Sequence, residues 1–508
     1  MIRREHGTQW LLLTAVFVIA TCGLIYELVA GTLASYLLGD SVTQFSTIIG
    51  VYLFSMGIGS FLSRYFDKAL LSWFIKIELL VGVIGGFSSA ILFVVFPMAS
   101  SFRLILYAIV CITGILVGLE IPLLMRILKD KVEFKELVSR VFTFDYIGAL
   151  LASLIFPLVL VPHLGLIRTS LFFGILNTCV GWYLANNFRK EIRNPGFLKA
   201  SAIIILLLEL VAFVYSDSIM NYSETMNFSD KVVYATSTPY QRIVITRNKR
   251  ELRLFLNGNL QFSSADEYRY HEALVHPALS SVSNLKNVLV LGGGDGLAVR
   301  EILKYPSVEK ITLVDLDPAM TKLFSSQEVL KNINNNSLLN KKLTIHNADA
   351  FMWLRNNTTM FDAVIVDFPD PSNFSIGKLY SNSFYQLLKK AIAPGGIAVI
   401  QSTSPYVAPK SFWCIDTTIQ SAGLYTKTYH NLVPSFGEWG YIMAMPQQEH
   451  NWFSSTPHEL KFINAATLDQ MFVFPEDMKA HQSLKINRLN NQALVTYFEE
   501  EWDKYQDM

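Results

Sequence analysis

The chemistry-bearing residues of this chain lie between Asn287 and Asp370. The densest part reads NVLVLGGGDGLAVREILKYPSVEKITLVDLD, from Asn287 to Asp317. A short apolar run, Val288 to Leu291, leads into Gly292-Gly293-Gly294-Asp295-Gly296. Glycines there let the backbone approach a ligand closely and let a helix begin at once. Asp315 follows at the end of a second apolar run. At that spacing a carboxylate can accept hydrogen bonds from ribose hydroxyls. Loop, spacing and acid together favour a bound nucleoside over a tight packing turn in an ordinary α/β protein.

The elements that must position these residues follow from the apolar pattern. Val288 to Leu291, Ile311 to Leu316, Leu343 to His346 and Phe361 to Asp367 read as buried strands. Helical stretches alternate with them, which predicts a mostly parallel, Rossmann-like sheet. Ligands bind beyond the carboxyl ends of such strands. Gly294, Asp295, Asp315, Asp349, Asp367 and Asp370 all fall at those ends, a sorting that solvated loop acids would not show. Asp349, with Ala350 beside it, stands where a nucleoside-binding sheet commonly meets adenine and its amino group. Pro394-Gly395-Gly396 turns into a fifth strand, Ile397 to Gln401. A helix near 411–422 and strands near 424–430 and 440–445 complete the fold.

Upstream, Lys231 to Tyr234, Arg242 to Thr246 and Leu252 to Leu256 alternate and are rich in β-branched residues. Asn257-Gly258 is a strong hairpin signal. Residues 217–265 are therefore expected to form a polar linker, to about residue 230, and a small β-domain, and 266–446 the Rossmann-like domain. A helix opens near Asp266, a plausible N-terminal acid, and runs to Leu279. Residues 447–508 form a polar extension with a helix near 492–503 and no assigned chemistry.

The first 216 residues are of another kind. The 508-residue chain is 51% hydrophobic with net charge +1, and its mean hydropathy is +0.34. The apolar excess lies between residues 10 and 216, in runs near 10–38, 42–65, 72–99, 103–127, 142–164, 166–187 and 198–216. Each is near or above the ~20 residues needed to cross a bilayer core. The expectation is an all-α, multi-pass domain of about seven spans in the cell membrane. Basic residues such as Arg3, Arg4, Arg64 and Lys68 place the N-terminus in the cytoplasm. Glu27, Glu78, Glu120, Asp145 and Glu209 fall inside the runs. Most are read as interhelical hydrogen bonding; Glu27 and Glu120 stand out for a substrate or proton path. Gly57 and Gly59 are read as close helix packing. The near-zero charge gives no argument for a nucleic-acid partner. Only Cys414 of four cysteines lies in the soluble half, so that half has no internal disulfide or cysteine metal site.

Residues 230–445 resemble the spermidine synthase family, the polyamine aminopropyltransferases. The resemblance rests on YQRI at 240–243, DEYRYHE at 266–272, GGGDG at 292–296 followed by REILKYPSVEKI, and DFPDP at 367–371. The apolar half and KLYSNSFY at 378–385 look like the membrane-fused branch. The resemblance implies aminopropyl transfer from decarboxylated S-adenosylmethionine, a co-substrate rather than a resident cofactor, to putrescine. Spermidine and methylthioadenosine would be the products. It implies Asp367 as proton acceptor. Gln241, Gly292, Gly294, Asp315, Asp349 and Ala350 would hold the donor; Tyr270, His271, Asp295 and Asp370 would hold the amine. It implies no metal, and a homodimer or homotetramer. The chain departs from the family in having Asp315 for the usual Glu, Ala350 for Gly, and Ser372-Asn373-Phe374-Ser375-Ile376-Gly377 after DxxDP. Phe436 stands for a common Tyr, which bears on the acceptor amine.

Two other readings stay open on the sequence: a transporter with a polyamine- or nucleoside-sensing soluble domain, and a methyltransferase acting on another amine. Seven spans from a cytoplasmic N-terminus would put the soluble half outside the cell. Supply of the donor, made in the cytoplasm, argues for the cytoplasmic face.

Overall fold

The computed structural model describes residues 2–38, 41–99, 101–129, 133–448, 460–479 and 484–506. It divides into two units, Met1–Pro239 and Tyr240–Met508.

The first unit is helical: α1 (Ile2–Leu38), α2 (Ser41–Leu62), α3 (Leu70–Val95), α4 (Phe102–Leu128), α5 (Phe134–Ile155), α6 (Val161–Asn187), α7 (Pro195–Val214) and α8 (Ser216–Asn227). A strand, β1 (Lys231–Ser237), follows. Among the described residues, six helical stretches are long and apolar enough to cross a membrane. The difference from seven lies at 142–164 and 166–187, which share one helical run, Phe134–Asn187, of 54 residues. A π-turn at Phe156–Leu160 joins α5 to α6, and inside α6 Gly165 leaves helical geometry at φ 71°, ψ 178°. With no polar loop between the two runs, the backbone ladder continues and a single glycine takes the bend.

Small residues set the helix spacing. A Cβ on Gly59 would lie 2.0 Å from the Ile115 carbonyl oxygen, and one on Gly118 would lie 2.2 Å from that of Met56. The α2–α4 seam thus needs glycine on both sides, whereas Gly57 has open space around its Cβ position. Glu209 on α7 accepts a hydrogen bond from Thr178 Oγ1 on α6 at 3.2 Å, an interhelical bond of the expected kind. The expected linker contains helix α8, whose Ser223 hydroxyl donates to the Phe93 carbonyl at 2.6 Å. Its Ser, Thr and Asn content hid it, since these residues are weak helix formers.

The second unit opens with an antiparallel meander of β2 (Arg242–Asn248), β3 (Glu251–Leu256) and β4 (Asn259–Ser263). Asn257 and Gly258 make the β3–β4 turn at φ 50° and 83°, both positive as a type I′ turn requires. Next come α9 (Glu267–Leu279), β5 (Asn287–Gly292), α10 (Leu297–Ile302), β6 (Lys310–Asp315), α11 (Pro318–Ser326), α12 (Glu328–Ile333), β7 (Leu343–Asn347), α13 (Ala350–Asn356) and β8 (Phe361–Asp367). The chain continues through α14 (Phe374–Gly377), α15 (Asn382–Ala391), β9 (Ile392–Gln401), α16 (Pro409–Ser421), β10 (Tyr425–Val433) and β11 (Gly437–Met445). It closes with α17 (Ala465–Met471) and α18 (Ala493–Gln506).

The seven-stranded sheet has the order β10-β11-β9-β8-β5-β6-β7. β7, β6, β5, β8 and β9 are parallel, and β11 and β10 add antiparallel strands at one edge. β9 begins earlier than expected: Pro394–Gly396 lies within the strand, opposite an irregularity at Phe361/Ala363. Order reverses between β5 and β8, so a crevice opens there at the carboxyl ends. The strands Val288–Leu291 and Ala363–Val366 are fully buried, as strands covered by helices on both faces must be.

Residues after 446 pack into the second unit. Glu272 on α9 accepts from the backbone N–H groups of Lys461, Phe462 and Ile463 at 2.8–3.1 Å. Glu501 on α18 accepts from the N–H groups of Lys410 and Ser411, at the start of α16, at 2.9 and 3.0 Å. Asn487 donates to the Gly377 and Tyr380 carbonyls.

Candidate active site

The site forms where β5 and β8 end side by side, with Gly292 in register with Asp367. Gly292 has φ 81°, and a Cβ there would lie 2.1 Å from the Asp367 carbonyl oxygen. Gly293, at φ 67°, lies against the Asp367 carboxylate, its Cβ position 3.1 Å from Oδ2. A Cβ on Gly294 would lie 2.7 Å from the Asp315 carboxylate. The glycine run therefore lets two carboxylates, from β8 and β6, close on one loop.

Asp367 is oriented by Tyr270 on α9, whose hydroxyl donates to Oδ1 at 2.6 Å. Tyr270 is buried, with Phe436 and Tyr441 rings 5.8 and 5.7 Å away. Burial and the neighbouring Asp367 push its phenol well above the ordinary value, so it stays protonated as the donor. Burial raises the Asp367 carboxyl to about 6, with Asp295 adding to the rise and His271 and the Tyr270 bond opposing it.

His271 is the next residue on α9 and is 2% exposed. Its Nδ1 lies 2.8 Å from the Glu267 carbonyl oxygen and 3.0 Å from Glu267 Oε2. Burial alone would depress the imidazole, but Glu267 outweighs it and lifts the group to about 9, so His271 is an imidazolium at neutral pH. Arg300 Nη1 and Nη2 each donate to one Glu267 oxygen at 2.8 Å. Burial would raise the Glu267 carboxyl, yet His271 and Arg300 together hold it down at about 2. A buried ionic chain thus runs from α10 through α9 to the crevice. Asp295 accepts from the N–H of Leu297, the first residue of α10, at 2.9 Å; burial raises its carboxyl and the His271 charge opposes this.

Asp315 accepts from the N–H groups of Gly294 and Asp317 at 3.0 and 2.9 Å. Burial lifts it to about 6 against those two bonds. Gln241 Nε2 donates to Asp317 Oδ2 at 3.0 Å, which ties the residue ahead of β2 to the acid that caps α11, two residues past the end of β6. Asp349 caps α13, accepting from the Met352 N–H at 3.1 Å, while its other oxygen accepts from Lys378 Nζ at 2.6 Å. Burial would raise Asp349, but the Lys378 ammonium and the helix N-terminus hold it below the ordinary value. Ala350 is buried behind it, 7% exposed.

Asp370 accepts from Gln401 Nε2 and Thr403 Oγ1, both at 3.3 Å. Burial raises it to about 7 against these bonds. Thr403 has φ 55°, a left-handed conformation unusual for a β-branched residue.

Every residue assigned from the sequence to donor or amine therefore lies on the carboxyl-end side of the parallel strands or on the elements that flank it. Asp266 departs from its expected role. It precedes α9 but makes no side-chain cap; its carboxylate accepts from the Ser435 N–H and hydroxyl instead. Glu267, Arg300, Lys378, Gln401 and Thr403 were not singled out. The i,i+4 spacing of Glu267 and His271 was a readable signal; the other contacts span 29 to 33 residues or more and had none.

This arrangement offers an oriented base of raised pKa beside a glycine loop, acids that can receive ribose and adenine groups, and a buried anionic crevice for a cation. Residues 267–455 match the spermine/spermidine synthase domain. Over 97% of its length the chain is 56% identical to polyamine aminopropyltransferase 2 of Ralstonia nicotianae, covering 98% of that protein. It is 53% identical to the polyamine aminopropyltransferase of Leptospira interrogans, over 98% of this chain and 100% of that one. A solved spermidine synthase in complex with the transition-state analogue AdoDATO is 27% identical, covering 48% of this chain and 86% of that one, with TM-score 0.45. On near-complete coverage by relatives of this identity, the chain is an enzyme of the polyamine aminopropyltransferase family.

Proposed function

We propose that this aminopropyltransferase is an integral-membrane spermidine synthase. It moves the aminopropyl group of decarboxylated S-adenosylmethionine to putrescine, with Asp367 as proton acceptor. The observation that carries this is the Asp367 carboxylate itself: it stands at the switch point of the sheet, against Gly293, with the Tyr270 hydroxyl 2.6 Å from Oδ1.

An alkylammonium has a pKa near 10.4 and cannot attack until it loses a proton. Asp367, lifted to about 6, is a stronger base than an ordinary aspartate and still ionised at neutral pH. The ammonium gives one proton to Asp367. The freed nitrogen lone pair forms the bond to the propyl carbon as the C–S bond breaks, and that electron pair stays on sulfur. The sulfonium becomes a neutral thioether, and the new secondary amine carries the positive charge. Positioning in line supplies much of the rate. Gln241, Gly292, Gly294, Asp315, Asp349 and Ala350 hold the donor. Tyr270, His271, Asp295 and Asp370 shape the amine end, with the His271 charge balanced by Glu267 rather than facing the substrate uncompensated.

The membrane part of the proposal is supported by six long apolar helices and by their uncovered faces: Leu150, Leu154 and Leu158 are 59%, 53% and 70% exposed, and Leu207, Val211 and Val214 are 58%, 56% and 70% exposed. Apolar faces of that extent need lipid or a partner. We place the catalytic unit on the cytoplasmic side, where its donor is made.

The test is Asp367→Asn in purified detergent-solubilised enzyme, with methylthioadenosine release followed by mass spectrometry. Loss of a general base lowers turnover by about 10²–10⁴-fold, while donor affinity stays within about twofold. Full turnover in this variant would remove Asp367 from the mechanism. S-adenosylhomocysteine formed from S-adenosylmethionine would instead favour methyl transfer.

A further inference from the structure

We infer that Asn487, in the polar stretch that follows the sheet, is a positioning residue for both substrates. It holds the single turn Lys378–Tyr380, from which one side chain serves the acid expected to meet the donor and another serves the loop expected to meet the amine. The inference rests on the roles proposed above for Asp349 and Asp370.

Asn487 is fully buried. Its Nδ2 donates to the Gly377 carbonyl at 3.0 Å and to the Tyr380 carbonyl at 3.1 Å. A side-chain amide has two N–H bonds to give, and this one gives both to the carbonyls that bracket the turn. The rest of Asn487 is tied down as well. Its Oδ1 accepts from the Leu494 N–H at 3.3 Å, its backbone N–H donates to the Thr418 hydroxyl at 2.9 Å, and its carbonyl accepts from the Asn382 N–H at 2.9 Å. Gly377 is closed in from the same side: a Cβ there would lie 2.5 Å from Val495 Cγ2 and 2.6 Å from Gln492 Oε1.

The two side chains of the turn point to the two ends of the reaction. Lys378 Nζ donates to Asp349 Oδ2 at 2.6 Å. Each carboxylate oxygen can accept more than one hydrogen bond, so Lys378 fixes Asp349 and still leaves it able to receive an adenine amino group. Tyr380 is fully buried, and its hydroxyl donates to the Pro369 carbonyl, directly before Asp370, at 3.1 Å. Gln401 Nε2 lies 2.9 Å from that hydroxyl, 2.6 Å from the Phe368 carbonyl and 3.3 Å from Asp370 Oδ1. A shift of the turn therefore moves the Lys378 contact and the Tyr380 contact together. An asparagine that only stabilised the fold would have no reason to affect both substrates and spare neither.

The experiment compares wild type, Lys378→Met, Tyr380→Phe, Asn487→Ala and Glu501→Ala as full-length enzyme in detergent. Donor-side affinity is the Kd of methylthioadenosine by calorimetry. Amine-side affinity is the KM for 1,4-diaminobutane, read from methylthioadenosine release. Lys378→Met is expected to weaken methylthioadenosine by about fivefold, the scale of one lost hydrogen bond, and to leave the amine KM within about twofold. Tyr380→Phe is expected to do the converse. Asn487→Ala should weaken both by about fivefold or more. Glu501→Ala loosens the same C-terminal stretch elsewhere, so it should lower Tm and move neither affinity. In Asn487→Ala/Lys378→Met, methylthioadenosine should bind no more weakly than in the weaker single variant, because both changes act on one contact. An Asn487→Ala enzyme that keeps either affinity overturns the inference, and so do fully additive losses in the double variant. A wild type that binds methylthioadenosine but transfers nothing to the diamine counts against the proposed acceptor alone, and the methylthioadenosine measurements still decide the role of Asn487. If Asn487→Ala does not fold, amide hydrogen exchange of wild type decides. Methylthioadenosine should slow exchange in both 374–381 and 485–494, and slowing in the first stretch alone counts against the inference.

Discussion

The roles proposed for Asp367 and Asp370 need them ionised, and burial has lifted them to about 6 and about 7. The sign follows directly. A carboxyl with a raised pKa keeps its proton to higher pH, so turnover is lost as pH falls through 7 and then 6. We expect kcat/KM for the diamine to climb steeply between about pH 6 and pH 7.5, as the steady-state rate of methylthioadenosine release will show. A profile flat from pH 5 to pH 8 would mean that neither acid is needed in ionised form. Glu267 behaves oppositely: held at about 2, it stays ionised throughout this window and keeps His271 charged. Lys378 shows what the sequence could not display at this scale. Asp349, the acid expected to meet adenine, follows β7 and caps α13, but its ammonium partner lies 29 residues on, too far along the chain for any spacing rule to pair them.

At the scale of elements, most of the catalytic unit was readable. β8 matches its expected range, Phe361–Asp367, because a buried parallel strand is a short apolar run. Two things were not readable. The helical run through Gly165 has no polar break to announce a turn, and the amphipathic α8 hides in a composition typical of linkers. The polar C-terminal stretch was given no role, since a weakly patterned segment reveals its partners only in the folded sheet. Its contribution is measurable. Glu501, 9% exposed, serves two N–H groups and the Ser411 hydroxyl at the start of α16. Glu501→Ala removes a helix cap supplied from another element and should cost about 2 kcal/mol. For a unit of this size that is a fall in Tm of about 4–8 °C, with kcat little changed because α16 does not reach the site. An unchanged Tm would show that solvent serves those groups equally well.

For the whole molecule, the proposal that the helical unit spans the membrane and the catalytic unit faces the cytoplasm has a direct readout. The protein should stay with the membrane pellet through carbonate washing. Protease should cleave the catalytic unit in inside-out vesicles and spare it in right-side-out ones. The reverse pattern would put catalysis outside and would require the donor to be exported. The order in which the chain is made also matters. Glu272, on the first helix of the catalytic unit, waits for Lys461, Phe462 and Ile463, and α16 waits for Glu501. At about 5–20 residues per second, the ribosome needs roughly 10–45 s to get from the first of these glutamates to the second. Only in the last part of that interval, after Met445 completes the sheet, is the sheet whole with the α16 seam still open, so the newborn enzyme passes through an aggregation-prone stage before Glu501 arrives, with its apolar helices already made.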